Sequence, residues 1–483
     1  AAQLAQSQPP LLRALGAGGA GAWAREPLFF AVQSVRPEVS AILLNVLGGG
    51  RGGVAAGAWA EAPVLPGEDA SAAAVVTAAW NLLWTWKQPR IDYGSLLRFQ
   101  RVNHFPRSSA RVLFRKDLLK KALGRCAKMH GPSFDVMPST YALPQEYVQF
   151  VAEFGELEHM LGRARNLWIL KPVGSSRGRG IRVLNDISAV HYSQEVVLQR
   201  YVDRPLTLGG RKFDLRVYVL VTSVRPLEAF VYSEGLARLA SRPYSTSEAG
   251  LADNLVHLTN TAVQRNAPDE ANAAGASAGH PAAPEALAGE ATTKCSFARL
   301  RERLLAEAGV EWESLWARIC ETVVRSLVAV EDAIVPHRCA FELFGYDVLV
   351  EEGTLRPWLI EANASPSLER ETKVDAQLKE RLIADTARLV APPYFDRAVL
   401  RRMAEWRLSE LGKGARAASR LATPPFEQEL HALLHGGAER RFGEMPRELG
   451  LYQRLVPSAM HERITRAISK KRPGVRPPSG HAS

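Results

Sequence analysis

Residues 341–368 read FELFGYDVLVEEGTLRPWLIEANASPSL, and the reading of this stretch decides the fold. Residues 344–350 are aromatic and β-branched, with Asp347 in the middle. Glu352-Gly353 is turn chemistry, and Pro357-Trp358-Leu359-Ile360 opens a second apolar run, so the pattern predicts a hairpin. The second run stops at Glu361-Ala362-Asn363. Side chains alternate along a strand, so Glu361 and Asn363 share one face. Antiparallel pairing brings Asp347 beside them. Two carboxylates and a carboxamide are oxygen ligands that suit Mg²⁺, which keeps waters and completes its shell from phosphate. An ordinary hairpin with solvated acids is the alternative. Asp347, set between Tyr346 and Val348, argues against it, because an acid inside an apolar strand needs a partner.

A polyphosphate site needs cations, and the segments upstream supply them. Residues 167–172 (LWILKP) form a strand ending in Lys171; 174–180 (GSSRGRG) form a loop; 181–184 (IRVL) form another strand. A Walker or Rossmann loop would open a helix instead. A glycine loop between strands covers phosphates from above, with backbone N–H groups and arginine as donors. A plain hairpin loop is the alternative, but it has no need of Arg177, Arg179 and Lys171 together. Residues 196–202 (VVLQRYV) form a short apolar strand that can present backbone groups to a purine. Gly209-Gly210 turns the chain into 213–221 (FDLRVYVLV), where Asp214, Arg216 and Tyr218 alternate with Leu215, Val217 and Val219. Such charges need a wet cleft or partners, the simplest option being that Asp214 and Arg216 pair with each other. A strand over 228–233 follows, with Arg238 at the end of GLAR, and His257-Leu258-Thr259-Asn260 adds three hydrogen-bonding side chains.

The 483 residues allow roughly three domains. The net charge of +11 and pI of about 9.6 favour polyanionic partners, and no nucleic-acid motif is present. Cys126, Cys295, Cys320 and Cys339 lack metal-ligand spacing, which points to reduced thiols in an intracellular setting. No uninterrupted apolar run approaches ~18 residues, so no membrane span is expected. Residues 1–25 read as a disordered tail. Short strands are expected at 27–32 and 41–47, then a glycine patch at 48–53 that lacks the GK[ST] ending and reads as a linker, then a buried element at 75–86. Helices are expected at 115–126, 147–161, 297–309, 311–335, 375–389, 401–411 and 460–469. Residues 265–293 read as a disordered, Ala/Gly/Pro-rich insertion. Beyond residue 400, sixteen lysines and arginines face eight acids, as expected of a basic appendage that docks a polyanion.

In order along the chain stand KPxxxSRGRG, QRYV, GGRKFDLRVYVLV, GLAR, HLTN, FELFGYDVLV and PWLIEANASPSL. Together they resemble the tubulin tyrosine ligase-like family of ATP-grasp ligases, from about residue 97 to about 390, and within it the protein polyglutamylases. The resemblance implies an α/β (α+β) ATP-grasp fold of N-terminal, central and C-terminal subdomains, whose bounds along the chain read as 26–105, 106–205 and 206–395; the charge pattern adds a basic helical C-terminal extension (396–483). It implies that ATP is met by Lys171, Arg177, Gly178, Gln199, Arg200, Tyr201, Val202, Lys212, Asp214, Thr259 and Asn260. Mg²⁺ is met by Asp347, Glu361 and Asn363, and the incoming amino acid by Arg238 and Lys294. Arg216 and Arg177 are the implied catalytic cations. Ala364 stands where members of the family often carry histidine, and Glu369-Arg370 where many carry Thr or Ser. The implied activity is ATP-dependent addition of free L-glutamate to glutamate side chains of tubulin C-terminal tails through an acyl phosphate. The alternatives are a glycine ligase, a glutamylase of another acidic protein, or an inactive microtubule-binding homologue. The implied setting is cytoplasm and cytoskeleton, including cilium or basal body, with room for accessory subunits.

Overall fold

The computed structural model describes residues 28–49, 59–62, 80–172, 179–193, 195–265, 293–392, 405, 440 and 442–470. The expected tail, most of the glycine patch, residues 75–79 of the expected buried element, Arg177 and Gly178, nearly all of the insertion and all but residue 405 of the helix at 401–411 lie outside the described residues.

Four short parallel strands open the chain: β1 (Leu28–Gln33), β2 (Trp59–Glu61), β3 (Leu82–Thr85) and β4 (Arg101–Val102), in the order β2-β1-β3-β4. Residues 41–47, expected as a strand, are instead the second half of helix α1 (Pro37–Leu47). Val39, Ile42, Leu43, Val46 and Leu47 recur at helical spacing and are buried, and Pro37 sits in the first turn, where its missing N–H costs nothing. A seven-residue window is too short to separate that period from a buried strand.

The central part is a four-stranded antiparallel sheet, β5 (Thr140–Ala142), β6 (Trp168–Pro172), β7 (Arg182–Leu184) and β8 (Val196–Arg200), ordered β5-β8-β6-β7. Helix α2 (Lys116–His130) buries Leu119, Ala122 and Leu123 in a separate core, and helix α3 (Tyr147–Leu161) packs on the sheet. Trp168 is fully buried, with Phe150 edge-on at 5.1 Å and Phe154 beside it.

A seven-stranded sheet completes the fold: β9 (Thr207–Leu208), β10 (Arg211–Val224), β11 (Leu227–Leu239), β12 (Lys294–Ser296), β13 (Glu342–Val350), β14 (Pro357–Ala364) and β15 (Tyr452–Val456). Its path is β12-β11-β10-β13-β14, with β9 on β10 and β15 on β11. β13 and β14 are the expected hairpin. Alternation along β10 divides two cores. Leu215, Val217, Val219 and Val221 pack with helices α4 (Phe297–Ala308) and α5 (Trp312–Val330), whereas Tyr218 and Leu220 pack with α1 and helix α6 (Lys373–Val390). Each fully buried leucine or valine is worth about 1.5–3 kcal/mol relative to exposure. At Gly235 of β11 an added Cβ would lie 2.4 Å from the Arg216 carbonyl oxygen and 2.5 Å from the Phe297 ring, so only glycine lets α4 seat there.

The sequence predicts a basic extension beyond the core. In the structure, part of it rejoins the large sheet. β15 pairs antiparallel with residues 229–232 of β11, while β12 pairs with residues 236–238 of the same strand. Arg440 makes a two-pronged contact, 2.6 and 2.6 Å, with buried Glu228, and helix α7 (Ala459–Lys470) buries Ile464 in the α5 core. The mixed α/β architecture is the expected one, and the central and large sheets face each other across a cleft in the ATP-grasp manner.

Candidate active site

The cleft encloses about 280 Å³. The central sheet supplies Ile169 and Lys171 from β6 and Gln199 and Arg200 from β8, followed by Tyr201 and Val202. Facing them, the large sheet supplies Lys212 and Asp214, Arg238, Asp347 and Leu349, and Ile360, Glu361 and Asn363. Residues 257–260 close one side, and Lys116 enters from the first turn of α2.

Two buried lysines mark the interior. Lys171 Nζ donates to Gln199 Oε1 at 2.7 Å, and Gln199 Nε2 donates to Thr140 Oγ1 at 3.1 Å. Burial pushes the Lys171 ammonium down to about 7, and Lys116 and Lys212 add like-charge repulsion. Lys212 Nζ donates to Tyr201 OH at 2.9 Å and stands over the Tyr201 ring, 4.2 Å from its centroid. Burial lowers it too, to about 7, against the pull of Asp214. Tyr201 OH lies 2.8 Å from His257 Nδ1, and His257 Nε2 lies 3.0 Å from the Gly250 carbonyl. Burial and Lys212 bring His257 down to about 4, so the imidazole is neutral. Its Nε2–H donates to the carbonyl, which leaves Nδ1 to accept from the phenol.

Strand register lays out a lattice of charges beside these lysines. One row runs Asp214, Arg238, Lys294 across β10, β11 and β12; the next runs Arg216, Asp347, Glu361 across β10, β13 and β14. Asp214 and Arg216 do not pair with each other. Arg238 holds Asp214 through Nε (2.7 Å) and one terminal nitrogen (2.6 Å), and Arg216 holds Asp347 at 2.6 and 3.1 Å. The same terminal nitrogen of Arg238 reaches Asp347 at 2.9 Å, and Thr259 Oγ1 donates to Asp214 at 2.7 Å. Glu361 is paired with Lys116 and accepts from Asn363 Nδ2 at 3.0 Å. Burial would raise the Glu361 carboxyl, but Lys116 and Lys171 outweigh it and hold it well below the carboxylate range. Removing one partner of the buried Arg216–Asp347 pair strands a charge at a cost of about 3–5 kcal/mol.

The cleft thus brings together Lys171, Gln199, Arg200, Tyr201, Val202, Lys212, Asp214, Arg238, Thr259, Asn260, Asp347, Glu361 and Asn363. Arg216 is not among the residues lining the cleft and is paired with Asp347. Lys294 sits one strand beyond Arg238, 2.5 Å from Glu371 and 2.8 Å from Asp375. Sequence reasoning missed Lys116 as a site residue. Its signal was a cation in the first turn of a helix, where the macrodipole disfavours one without a counterion. It also missed the apolar lining of Ile169, Ile181, Leu258, Leu349 and Ile360. Ile169 and Leu349 were findable, because each lies two residues from Lys171 or Asp347 on the same strand face.

The donor chemistry at the Glu361 end fits Mg²⁺. Asp347 is directly opposite Glu361, and Asn363 follows two residues on, so the residue types that suit Mg²⁺ stand side by side, with Asn363 Nδ2 turned to Glu361 and Asp347 held by arginines. Among the described residues no group of three or more His, Cys, Asp or Glu is assembled.

Residues 93–398 match the tubulin-tyrosine ligase family. The chain is 34% identical over 316 residues to a Mus musculus protein named tubulin polyglutamylase TTLL5, covering 63% of this chain and 22% of that one. It is 34% identical over 314 residues to the Homo sapiens probable tubulin polyglutamylase TTLL2, covering 64% of this chain and 50% of that one. Against the Tetrahymena thermophila probable alpha-tubulin polyglutamylase Ttll1 it is 33% identical over 350 residues, covering 65% and 78%. The chain therefore spans half or less of the length of the two mammalian relatives. No helix among the described residues is long and apolar enough to cross a membrane.

Proposed function

The chain belongs to the tubulin-tyrosine ligase family, and on that premise we propose that it is an ATP-dependent ligase adding L-glutamate to glutamate side chains of tubulin C-terminal tails. The observation that carries this reading is the convergence of Lys171 and Lys212 with the oxygen donors Asp347, Glu361 and Asn363 on one cleft. The names of the relatives supply the substrate class.

A carboxylate oxygen is too poor a leaving group for direct amidation. The acceptor carboxylate first takes the γ-phosphoryl group of ATP, giving an acyl phosphate and ADP. The amine of free glutamate then attacks the acyl carbon, and phosphate departs through a tetrahedral intermediate. Lys171 and Lys212 hold the phosphates, and Asp214, Thr259 and Asn260 meet the remainder of the nucleotide. Gln199, Arg200, Tyr201 and Val202 line the adenine, with Ile169, Ile181, Leu258, Leu349 and Ile360 as its apolar walls. Arg216 and Arg177 add positive charge near the transferred phosphoryl, with Gly178 in the same covering loop. Arg238 and Lys294 orient the incoming glutamate by its carboxylates, largely a proximity effect. Asp347, Glu361 and Asn363 would hold Mg²⁺, which would supply charge neutralisation on the phosphate oxygens.

The surplus of sixteen cations over eight acids beyond residue 400 favours acidic tails as the partner. The setting is the cytoplasmic cytoskeleton, cilium and basal body included, with accessory subunits as further partners. The test is incubation with labelled glutamate, ATP and microtubules. Incorporation by the wild type and its loss in Glu361→Gln are expected; no incorporation by the wild type would sink the reading.

A further inference from the structure

We propose that Asp347 is an internal competitor for the guanidinium of Arg238, so that the incoming amino acid gains its carboxylate site only once the metal–nucleotide has drawn Asp347 away. This rests on the reading above that Arg238 receives that carboxylate.

The fork geometry of arginine carries the inference. A guanidinium offers a carboxylate two bidentate edges, one through Nε and a terminal nitrogen, the other through both terminal nitrogens. On Arg238 the first edge is filled by Asp214, whose two oxygens lie 2.7 and 2.6 Å away. The terminal nitrogen shared by both edges also forms an ion pair with Asp347, 2.9 Å away, so that carboxylate stands at the second edge. A two-pronged grip on a new carboxylate therefore requires the Asp347 contact to break. Asp214 is the less ready to leave, since Thr259 also donates to it. Asp347 has an alternative: Arg216 grips it with two nitrogens, and it faces Glu361 at the end of the cleft whose donor set fits Mg²⁺. Turning Asp347 toward a cation there leaves the outer edge of Arg238 open at the moment when the phosphates are in place.

Two sites that bias one shared side chain are coupled, and coupling is reciprocal. The ordinary range of such coupling predicts a roughly 5–150-fold difference in amino-acid affinity between the empty and the loaded cleft. Glutamate should tighten nucleotide binding by the same factor.

Equilibrium dialysis of labelled L-glutamate against the full chain tests this in three arms: protein alone, with β,γ-methylene-ATP and Mg²⁺, and with the same analogue in EDTA. Tightening by that factor in the Mg²⁺ arm alone is expected. In Asp347→Asn, which loses the competing charge, glutamate without nucleotide should bind as tightly as it does to loaded wild type. Equal wild-type affinity in every arm, equal tightening in EDTA, or a folded Asp347→Asn variant that stays weak without nucleotide would overturn the coupling and leave glutamate as the donor. If the variant does not fold, the three wild-type arms decide alone. No glutamate binding by wild type in any arm would overturn both the coupling and the glutamate reading.

Discussion

Lys212 is a buried cation whose hydrogen-bond partner is a phenol. Tyr201→Phe removes that partner while keeping the ring, so Lys212 loses its orientation. A lost hydrogen bond to a charged group is worth about 1.5–3 kcal/mol, so nucleotide Kd should rise roughly 10–150-fold, as read by calorimetry. Lys171 and Lys212 also make the cleft sensitive to pH. Both fall from 10.5 to about 7 in the ligand-free fold. Between those values the unfolded chain binds more protons than the folded one, so ligand-free stability gains from rising pH in that window. Bound phosphate acts in the opposite sense, because it favours the ammonium. Nucleotide binding above pH 7 should take up protons and weaken toward pH 9. Calorimetry in buffers of different ionisation heat would detect the uptake, and a pH-independent Kd with no uptake would refute the account. At this scale the sequence was readable where residues sit in spaced motifs. Asp347, Glu361 and Asn363 followed from alternation and a turn. Lys116 did not, because its partner Glu361 is 245 positions away and no local pattern connects them.

Elements were legible where the period is long. Helix α3 was expected at the bounds it has, and the hairpin of β13 and β14 followed from its turn residues. α1 was misread because a short Ile/Leu/Val run satisfies both periods, and the packing of Leu378, Leu382 and Ile383 that selects the helix is distant in sequence. The pairing of Arg238 with Asp214 also needed the register of β10 and β11, which the alternation within each strand leaves open. Gly235 is a tight constraint within a strand. Gly235→Ala drives a methyl group into the Arg216 carbonyl and the Phe297 ring. Overpacking of this kind costs about 1–3 kcal/mol, and displacement of β11 should also disturb the Arg216–Asp347 pair. Chemical denaturation should show a lower midpoint with an unchanged slope.

Across the molecule, the described part of the C-terminal extension is structural as well as basic. β15 covers the outer edge of β11, Arg440 neutralises Glu228, and Leu451 N–H and Tyr232 OH both donate to Asp385. A chain ended at residue 398, where the family match stops, should expose that edge and leave Glu228 without its guanidinium. Lower thermal stability and self-association are expected, checked by scanning calorimetry and light scattering. Arg440→Ala in the full chain should give a milder loss of the same sign. The two rows of charge have a consequence for how the chain assembles. Their strands come from residues 211–239, 294–296 and 342–364, so the large sheet must align partners far apart in the chain, a slow search. A slip of one residue would turn every ionic side chain of a strand onto the opposite, apolar face. Misaligned intermediates thus carry their own penalty, and the lattice proofreads the alignment of the sheet that bears it.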